Sequence, residues 1–406
     1  MHRGSAQHLR ARRDREGRLP LRRRGSIAAS RRARRGQGSG RRAGGRVPGL
    51  RIAILAGGAG TRFWPASRRA LPKPFVSLLG SGTLLEGTLE RLYHVAPAES
   101  IEVLVPSHLA ALARKALRSH PGVRPLLEPE ARDTAPAIAW AAARALGREP
   151  DALVGIFPAD HHVPHTARFG ACVRRATRAA ARRDAIVLIG IECTRPDTAY
   201  GYLRLDAEAG ADGASRVRRF VEKPDRARAR RYRRSGRYLW NAGMLVAPAA
   251  RLLAEIRTCA PQIWRRLGGV LERAAAGRRI SRSELSRAWR RVPRISFDHA
   301  VLEHSRRVVA VRGTFGWSDL GSWDALAAHL PRVSANRVRG AAPVVSLDAR
   351  QNLVWNATGR PWALLGVEGL VCVETEEAVL ICPADRAQEV RSIVEDLTRR
   401  GRRDLT

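Results

Sequence analysis

The chain of 406 residues has very little lysine, few cysteines and no long apolar run. Of its 74 basic residues only Lys73, Lys115 and Lys223 are lysine, so arginine carries almost all of the positive charge. A formal net charge of +37 would ordinarily indicate a nucleic-acid binder. Here the arginine excess accompanies abundant Gly and Pro and is typical of GC-rich coding. The composition therefore predicts no specific nucleic-acid partner, and the three lysines become informative positions.

Two further absences bear on where in the cell the protein is located. The sequence has no apolar stretch long enough for a membrane helix and no hydrophobic segment of a secretory signal near its start. The cysteines are odd in number and show neither CxxC nor Cys/His ligand spacing; they are Cys172, Cys193, Cys259, Cys372 and Cys382. We expect a soluble, cytoplasmic protein with reduced thiols and no membrane partner.

The first 46 residues are rich in arginine and have no apolar periodicity. They hold 16 Arg against only Asp14 and Glu16. Such a segment cannot bury a core, and we expect residues 1–49 to be a disordered extension. Two interpretations stay open: a dispensable extension, such as an upstream start would add, or a basic arm for RNA or a membrane surface.

Residues 51–75 contain the most informative stretch of the chain. An apolar run ending at Ala56 predicts a buried strand, and Gly57, Gly58 and Gly60 break it with a turn. Glycines let backbone N–H groups approach a ligand closely, so this turn suits a phosphate. Thr61 follows at once and adds a hydroxyl.

Two basic residues complete this stretch. Arg62 supplies a fork of donors, and Lys73 lies between Pro72 and Pro74, where the backbone is not an ordinary helix. Phe63 occupies the place of the third glycine in a dinucleotide-binding fingerprint, and no Gly-Lys-Ser/Thr phosphate loop is present. Both of those common nucleotide motifs are therefore excluded.

The whole stretch resembles the signature of the sugar nucleotidyltransferases, Gly-Gly-x-Gly-Thr-Arg followed at this distance by Pro-Lys. The resemblance extends from about Leu50 to Leu397, and it is specifically to the mannose-1-phosphate guanylyltransferase branch. It implies an α/β fold with a Rossmann-like, mostly parallel sheet of the nucleotidyltransferase, GT-A-like type.

The remaining sequence is consistent with that fold. Apolar runs at 101–105, 152–157 and 185–191 read as buried strands, and helical stretches such as 135–146 separate them. Ligands in such sheets bind at the carboxyl ends of the strands. Asp160 comes just after one of these strands and is the first predicted metal ligand. We expect His161 and His162 to be surface loop residues rather than zinc ligands, because no Cys or third spaced His accompanies them.

Residues 128–141 change from loop to helix near Thr134, with Asp133 and Thr134 as candidate N-caps. Capping alone would account for both. In the resembling guanylyltransferases this segment lines the purine pocket, which places Arg132, Thr134 and Ala135 near the base. With these three, the resemblance implies the nucleotide-binding residues Ala56, Gly57, Gly58, Gly60, Thr61, Arg62 and Lys73.

A second group of motifs is implied to hold the sugar phosphate. Tyr-Gly-Tyr at 200–202 and Phe-Val-Glu-Lys-Pro at 220–224 occur in the same order in the resembling family. There the lysine binds the sugar phosphate and the glutamate the sugar hydroxyls. An amide beside small residues also suits a sugar ring, because it both donates and accepts. The implied residues are Tyr200, Gly201, Glu222, Lys223 and Asn241.

The segment 316–323, Gly-Trp-Ser-Asp-Leu-Gly-Ser-Trp, matches the family without a departure. Asp319 within it is the second predicted metal ligand, although an N-cap would also explain the residue type. Because Asp160 and Asp319 are each expected at the same sheet edge, they would share a Mg²⁺ ion. We therefore expect the catalytic residues to be Arg62, Lys73, Asp160 and Asp319.

Beyond residue 330 short apolar pieces recur every eight to ten residues, and a charged helix is predicted over 385–399. These features predict a catalytic domain at 50–332 and a small β-rich domain at 333–406. The resemblance implies transfer of GMP from GTP to mannose 1-phosphate, with no isomerase activity. The rivals are another sugar phosphate or nucleotide, and a non-catalytic nucleic-acid-binding or regulatory homologue. The sequence leaves open whether the protein forms a homodimer.

Overall fold

The structure is a computed structural model that describes residues 49–58, 60–80, 82–206 and 209–406. The arginine-rich extension predicted at 1–49 therefore lies almost entirely outside the described residues. The β-strands of the first domain are β1 (Leu50–Leu55), β2 (Ile101–Pro106), β3 (Arg124–Glu128), β4 (Leu153–Pro158), β5 (Ile186–Glu192), β6 (Tyr202–Leu205), β7 (Ala214–Val221), β8 (Tyr238–Pro248) and β9 (Val308–Gly313).

Helices alternate with these strands along the chain. They are α1 (Leu84–Leu92), α2 (Ala110–Ala116), α3 (Thr134–Leu146), α4 (Thr166–Arg183), α5 (Arg226–Ser235), α6 (Ala249–Cys259), α7 (Pro261–Ala275), α8 (Arg282–Trp289) and α9 (Trp323–Ala327). The predicted helix at 135–146 is confirmed and begins one residue earlier. Asp133 is its N-cap, and its carboxylate accepts from the Thr134 N–H at 2.8 Å.

Within the described residues nine strands form one sheet, in the order β3-β2-β1-β4-β8-β5-β9-β7-β6. β1, β2, β3 and β4 pair in parallel with one another, and β5 is parallel to β9. β8 is antiparallel to both β4 and β5, and β6 and β7 also pair antiparallel. The α/β class is confirmed, but the sheet is mixed rather than mostly parallel. The apolar pattern of a buried strand does not encode its direction, so the sequence missed this difference.

Helices cover both faces of the sheet. β1 shows how the pleat divides its side chains, since Ala53 packs into one core cluster while Ile52 and Ile54 pack into the other. The first cluster is completed by α3, α6, α7 and α8, and the second by α1, α2 and α4. Both faces of β1 are therefore buried, and its carboxyl end is held rigidly where the glycine turn begins.

The second domain consists of short strands and a last helix. They are β10 (Arg332–Val333), β11 (Asn336–Arg339), β12 (Val344–Leu347), β13 (Leu353–Asn356), β14 (Trp362–Leu365), β15 (Leu370–Glu374), β16 (Val379–Pro383) and α10 (Val390–Arg399). The β-rich character is confirmed. The predicted helix at 385–399 starts as a 3₁₀ helix over Ala384–Glu389 and becomes α-helical at Val390.

The strands of this domain stack as successive parallel coils, with β11, β13 and β15 parallel in one sheet and β12 parallel to β14 in another. Two buried asparagines bind neighbouring coils together. The Asn352 amide donates to Asn336 Oδ1 at 3.0 Å, and Asn352 Oδ1 accepts from the Leu370 N–H at 2.9 Å. Backbone groups at the turns are thereby satisfied in the interior.

The two domains share a core, which we call the loop-supporting core. It joins apolar side chains of the first domain to those of β13 and β15, and includes Phe63, Trp64, Leu78, Leu320, Trp323, Leu353, Trp355 and Val371. Indole groups tie the parts together: Trp355 Nε1 donates to the Leu78 carbonyl at 3.1 Å, and Trp64 Nε1 to the Leu405 carbonyl at 2.8 Å. The second domain therefore supports the segment that follows the glycine turn.

Candidate active site

A cleft of about 1120 Å³ opens at the end of β1. Its lining brings together motifs from distant parts of the chain, including the glycine turn, the start of α3 and the 200–201, 222–223 and 317–319 segments. Of the predicted site residues, the lining contains Ala56, Gly57, Gly58, Thr61, Thr134, Tyr200, Gly201, Glu222, Lys223, Asn241 and Asp319. The carboxyl end of β1 is therefore the centre of a large ligand site, as expected for this kind of sheet.

The third glycine of the turn is required by its backbone and by its neighbour. Gly60 has a φ of +64°, a conformation that side chains with a Cβ rarely adopt. A Cβ at this position would lie 2.3 Å from Cβ of Lys73. The spacing between the glycine motif and Pro72-Lys73-Pro74 thus has a direct cause, because the two segments pack against each other.

Lys73 is almost completely buried, with its side chain only 7% exposed. Its ammonium forms an ion pair with Asp160 Oδ2 at 2.9 Å and donates to the Asp319 carbonyl at 2.7 Å. The same ammonium lies 5.4 Å from the centre of the Phe63 ring, within range of a cation–π interaction. One lysine therefore binds both predicted acidic positions, although it contacts the side chain of only one.

Backbone pairing also joins the loops that carry these two aspartates. The His162 N–H donates to the Ser318 carbonyl at 2.8 Å, and the Ser318 N–H to the His162 carbonyl at 3.1 Å. The predicted convergence of Asp160 and Asp319 is thus present in the structure. Burial alone would raise the pKa of Asp160, but the Lys73 ammonium and His161 outweigh it, so the pKa is lowered and the carboxyl is ionised at neutral pH.

Asp319 is oriented by aromatic neighbours. Tyr200 donates its hydroxyl to Asp319 Oδ1 at 2.8 Å, and Arg195 donates to the Tyr200 hydroxyl at 3.2 Å. Burial, together with the Asp319 charge, raises the pKa of Tyr200, so the phenol stays a donor. Tyr200 thus holds one Asp319 oxygen in place at the cleft wall.

His161 is not the surface residue that the sequence suggested. It lines the cleft and accepts from Trp317 Nε1 at 3.1 Å through its Nδ1. Burial lowers the pKa of His161 to about 4, so the ring is neutral at physiological pH. A histidine next to an aspartate after a buried strand could have signalled this position, but its loop context predicted exposure.

The residues predicted to hold the sugar phosphate lie together in another part of the cleft. The Asn241 N–H donates to the Gly201 carbonyl at 2.8 Å, and a Cβ at Gly201 would lie 2.7 Å from Glu222 Oε2. Lys223 is exposed, and its ammonium pairs with Glu222 at 2.5 Å. The cluster of Gly201, Glu222, Lys223 and Asn241 therefore offers donors and acceptors to a phosphorylated, hydroxylated ligand.

Sequence reasoning gave no role to Asp298, which also lines this part of the cleft. Its Oδ1 accepts from the Asn241 amide at 2.9 Å. Burial and the neighbouring Glu222 raise the pKa of Asp298 to about 6. Asp298 therefore holds the Asn241 amide group from one side, while Oδ1 of Asn241 accepts from the Gly243 N–H at 3.2 Å.

Of the three residues that the resemblance places near the base, only Thr134 lines the cleft. Thr134 lines the cleft, but its hydroxyl accepts from the Phe297 N–H at 2.8 Å. Ala135 is fully buried and its N–H donates to the Ile295 carbonyl at 3.2 Å. Arg132 binds Glu130 and the Arg290 carbonyl. Arg132 and Ala135 lie outside the cleft lining, as do Gly60, Arg62, Lys73 and Asp160.

The acidic pair fits a hard cation only when a phosphate shares it. Within the described residues, no group of three or more His, Cys, Asp or Glu is placed to hold a metal ion. Mg²⁺ needs only one or two carboxylates when substrate phosphates and water fill its other positions. Asp160 is 28% exposed and Asp319 lines the cleft, so neither carboxylate is fully buried. Their role as metal ligands stays a prediction.

The structure is that of an α/β protein with a glycine turn, a buried ammonium and two paired acidic loops at one edge of a mixed sheet. These are features expected of a site for phosphorylated ligands. The sequence matches the family described as Nucleotidyl transferase over residues 52–335 and the MannoseP isomerase/GMP-like beta-helix domain over residues 342–397. The chain belongs to the nucleotidyl transferase family. The resemblance noted in the sequence is thereby confirmed.

Individual relatives agree with this assignment. The chain is 39% identical to xanthan biosynthesis protein XanB of Xanthomonas campestris pv. campestris over 87% of this chain and 74% of that protein. It is 35% identical to mannose-1-phosphate guanylyltransferase of Escherichia coli over 86% and 74% of the two chains. A solved structure described as mannose-1-phosphate geranyltransferase from Thermus thermophilus has 37% identity and a TM-score of 0.78, covering 86% of this chain and 99% of that one.

The described residues also bear on membrane association. Within them, no helix is long and apolar enough to cross a membrane. The predicted cytoplasmic location stays a prediction.

Proposed function

We propose that this protein is a mannose-1-phosphate guanylyltransferase, which transfers GMP from GTP to α-D-mannose 1-phosphate and gives GDP-mannose and pyrophosphate. The observation that carries the proposal is the single cleft lined both by the glycine turn and by the Glu222, Lys223 and Asn241 cluster. Relatives named for mannose 1-phosphate, at 35% and 37% identity over most of the chain, support the choice of sugar.

This reaction needs no protein nucleophile. An oxygen of the sugar phosphate attacks the α-phosphorus of GTP, and the bond from that phosphorus to the bridging oxygen of pyrophosphate breaks. The protein has to align the two substrates and stabilise negative charge on the leaving pyrophosphate. We assign backbone N–H groups of the glycine turn and Arg62 to the nucleotide phosphates, and Lys223 to the sugar phosphate.

We assign Lys73 a bridging role in addition to its predicted place among the nucleotide-binding and catalytic residues. Because its ammonium already binds Asp160 and the Asp319 carbonyl, it holds the two acidic loops together and adds positive charge beneath the phosphates. Asp160 and Asp319 would hold Mg²⁺, which when bound screens phosphate charge as a Lewis acid. Tyr200 keeps Asp319 in the required orientation.

A pyrophosphate-release assay tests the proposal directly. Mannose 1-phosphate is supplied with each of the four nucleoside triphosphates, and then GTP is supplied with a panel of hexose and heptose 1-phosphates. We expect turnover with GTP and mannose 1-phosphate well above every other pair. Preference for another sugar would assign the protein to a different transfer reaction. RNA retained at moderate salt, with no turnover of any pair, would favour a nucleic-acid-binding homologue.

A further inference from the structure

Arg91, in the last turn of α1, carries a buried positive charge that no assigned role uses. The residue is only 3% exposed. Its guanidinium donates to the Gly87 carbonyl at 3.2 Å and to the Thr88 hydroxyl at 2.7 Å, and both of these partners are neutral. Burying a cation without an anion in direct contact is unfavourable. A methionine would fill similar space without that penalty, so packing alone does not explain the charge.

The Arg91 guanidinium acts on the loop that carries Asp160. Burial lowers the pKa of Arg91 to about 10, against the opposing charge of Asp160, so the guanidinium is protonated at neutral pH. Burial is also the main cause of the low pKa values of His161 and His162, and the Arg91 charge adds to it for both. The Arg91 guanidinium carbon lies 5.8 Å from the centre of the Phe169 ring, near the start of α4. One cation therefore influences the segment between β4 and α4 over its whole length.

Thr88 connects Arg91 to the backbone of that loop. Its hydroxyl oxygen lies 2.9 Å from the Ala159 carbonyl and 3.0 Å from the Leu84 carbonyl. Both carbonyls can only accept, so the hydroxyl donates its one hydrogen to them and keeps a lone pair for the Arg91 N–H. Thr88 is fully buried, so bulk water does not compete for these groups. Arg91 thus orients the hydroxyl as a donor toward the carbonyl that precedes Asp160.

Ala159 is held through both of its backbone groups. Its N–H donates to the Leu55 carbonyl at the end of β1 at 3.0 Å, while its carbonyl faces the Thr88 hydroxyl. That carbonyl belongs to the peptide unit that leads into Asp160. A rotation of this peptide would move the Asp160 carboxylate, and small displacements in an active site can slow a reaction strongly.

We propose that Arg91 is a positioning residue which, through Thr88, fixes the peptide leading into Asp160 in the geometry that the transfer reaction requires. The inference rests on the proposed function, because that reaction gives Asp160 its role. The arrangement depends on a charge whose burial is unfavourable for folding. Its loss should therefore slow the reaction without destabilising the fold.

Turnover and stability measured on the same proteins test this role. Arg91→Met should lower kcat roughly 10- to 100-fold, as expected when a group that orients an active-site side chain is lost. The KM for mannose 1-phosphate should stay within about threefold of wild type, because the sugar-side residues are untouched. The midpoint of urea unfolding should equal or exceed that of wild type. Arg91→Lys, which keeps the charge and a donor, should give an intermediate kcat.

A double-mutant cycle tests whether Arg91 acts through Thr88. Thr88→Val removes the hydroxyl at nearly constant shape and should also lower kcat, whereas Thr88→Ser should keep most of it. Because both side chains act on one peptide, the double variant Arg91→Met/Thr88→Val should be within about threefold of the slower single variant. If the two losses multiply instead, Arg91 acts independently of Thr88 and the proposal is wrong.

Arg114→Met is the matched control. Arg114 also lies in the last turn of a helix, α2, but it is exposed. This variant should keep the wild-type kcat and unfolding midpoint. A folded Arg91→Met protein with wild-type kcat would overturn the proposal. A loss of kcat together with a lower unfolding midpoint would also overturn it, because Arg91 would then serve only to stabilise the fold.

These measurements are made with whichever sugar phosphate is turned over, which separates this inference from the proposed function. If another sugar 1-phosphate is the substrate and Arg91→Met slows its transfer, the assigned sugar is wrong and the role of Arg91 stands. If turnover is specific for GTP and mannose 1-phosphate but Arg91→Met does not slow it, the reaction stands and the role of Arg91 is wrong. If no pair of substrates is turned over, both are wrong.

Discussion

The two sides of the cleft treat their acidic groups in opposite ways. On the β4 side, Asp160 is paired with the ammonium of Lys73, and Asp319 with the hydroxyl of Tyr200. On the β3 side, the buried Oε2 of Glu128 has no partner among the described residues. The first arrangement lowers the pKa of Asp160, and the second raises the pKa of Glu128 to about 8.

The difference indicates how each side works. Paired charges are already held in one geometry before a ligand binds, which suits a place where charge must be stabilised during reaction. An unpaired carboxylate is destabilising by itself and becomes favourable only when the correct donors arrive. We therefore expect the β4 side to determine rate and stability, and the β3 side to determine which nucleotide binds.

The largest effect should come from removing the Lys73 ammonium, which binds both acidic loops. Lys73→Met leaves the Asp160 carboxylate without its partner in a largely buried place, and should lower the free energy of unfolding by about 3 kcal/mol. Urea unfolding measures this. Lys115→Met is the matched control, because Lys115 is exposed on α2 and should change stability by less than about 0.5 kcal/mol. Equal effects of the two variants would mean that the Lys73 pair is not a stabilising feature.

The next effect concerns turnover. Asp160→Asn and Asp319→Asn should each lower kcat by roughly 10²-fold or more, as expected on loss of a major electrostatic contribution. EDTA should stop turnover and Mg²⁺ should restore it. Asp348→Asn, an exposed change in the second domain, is the control. Full activity of a folded Asp160 or Asp319 variant, or of protein in metal-free buffer, would contradict the mechanism.

The same variants should differ in stability. If Asp160 and Asp319 only repelled each other, neutralising either carboxylate would raise the stability of the protein. In the structure, Asp160 instead pairs with Lys73, so Asp160→Asn should destabilise the protein. Asp319 contacts Lys73 only through its backbone carbonyl, so Asp319→Asn should have a smaller effect on the midpoint of thermal unfolding.

A moderate effect is expected at the exposed end of the cleft. Lys223→Ala should raise the KM for mannose 1-phosphate about 10-fold, since a charge-assisted contact is lost, and should change the KM for GTP little. Arg230→Ala removes an exposed positive charge on α5 and serves as the control. If both Michaelis constants rise together in Lys223→Ala, the lysine does not belong to the sugar phosphate.

The pH dependence of stability tests the unpaired Glu128 carboxylate without any ligand. The pKa of Glu128 is raised from 4.5 to about 8, so the folded protein binds more protons than the unfolded chain between these values, and its stability falls as pH rises through that window. Glu128→Gln does not titrate. It should therefore be more stable than wild type at pH 8, and this advantage should shrink as the pH is lowered and disappear near pH 4.5. Chemical denaturation of both proteins at both pH values measures the difference in stability. If the stability advantage of Glu128→Gln does not change with pH, titration of Glu128 is not its cause.

Much of the site followed from strand order and turn chemistry. An apolar run before Gly57 and another before Asp160 were enough to predict strand ends at the same edge of the sheet, because parallel strands present their carboxyl ends at one edge. The contacts that these side chains make with one another could not be predicted in the same way. Nothing in the spacing showed that Lys73 would bind Asp160 or that Tyr200 would bind Asp319, since these contacts depend on how loops fold over the edge. Glu128 was placed by the sequence only as the first residue of the segment that the resemblance assigns to the purine pocket, with no role of its own.

The loop-supporting core has a consequence for protein engineering. Trp64 and Phe63, which directly follow the glycine motif, are buried partly by Leu353 and Val371 of the second domain. Removing residues 333–406 would expose these aromatic rings to water and leave the Trp64 indole without the Leu405 carbonyl. The catalytic domain is therefore a poor unit for transplantation on its own. A chimera would have to take the second domain and the glycine turn from the same parent.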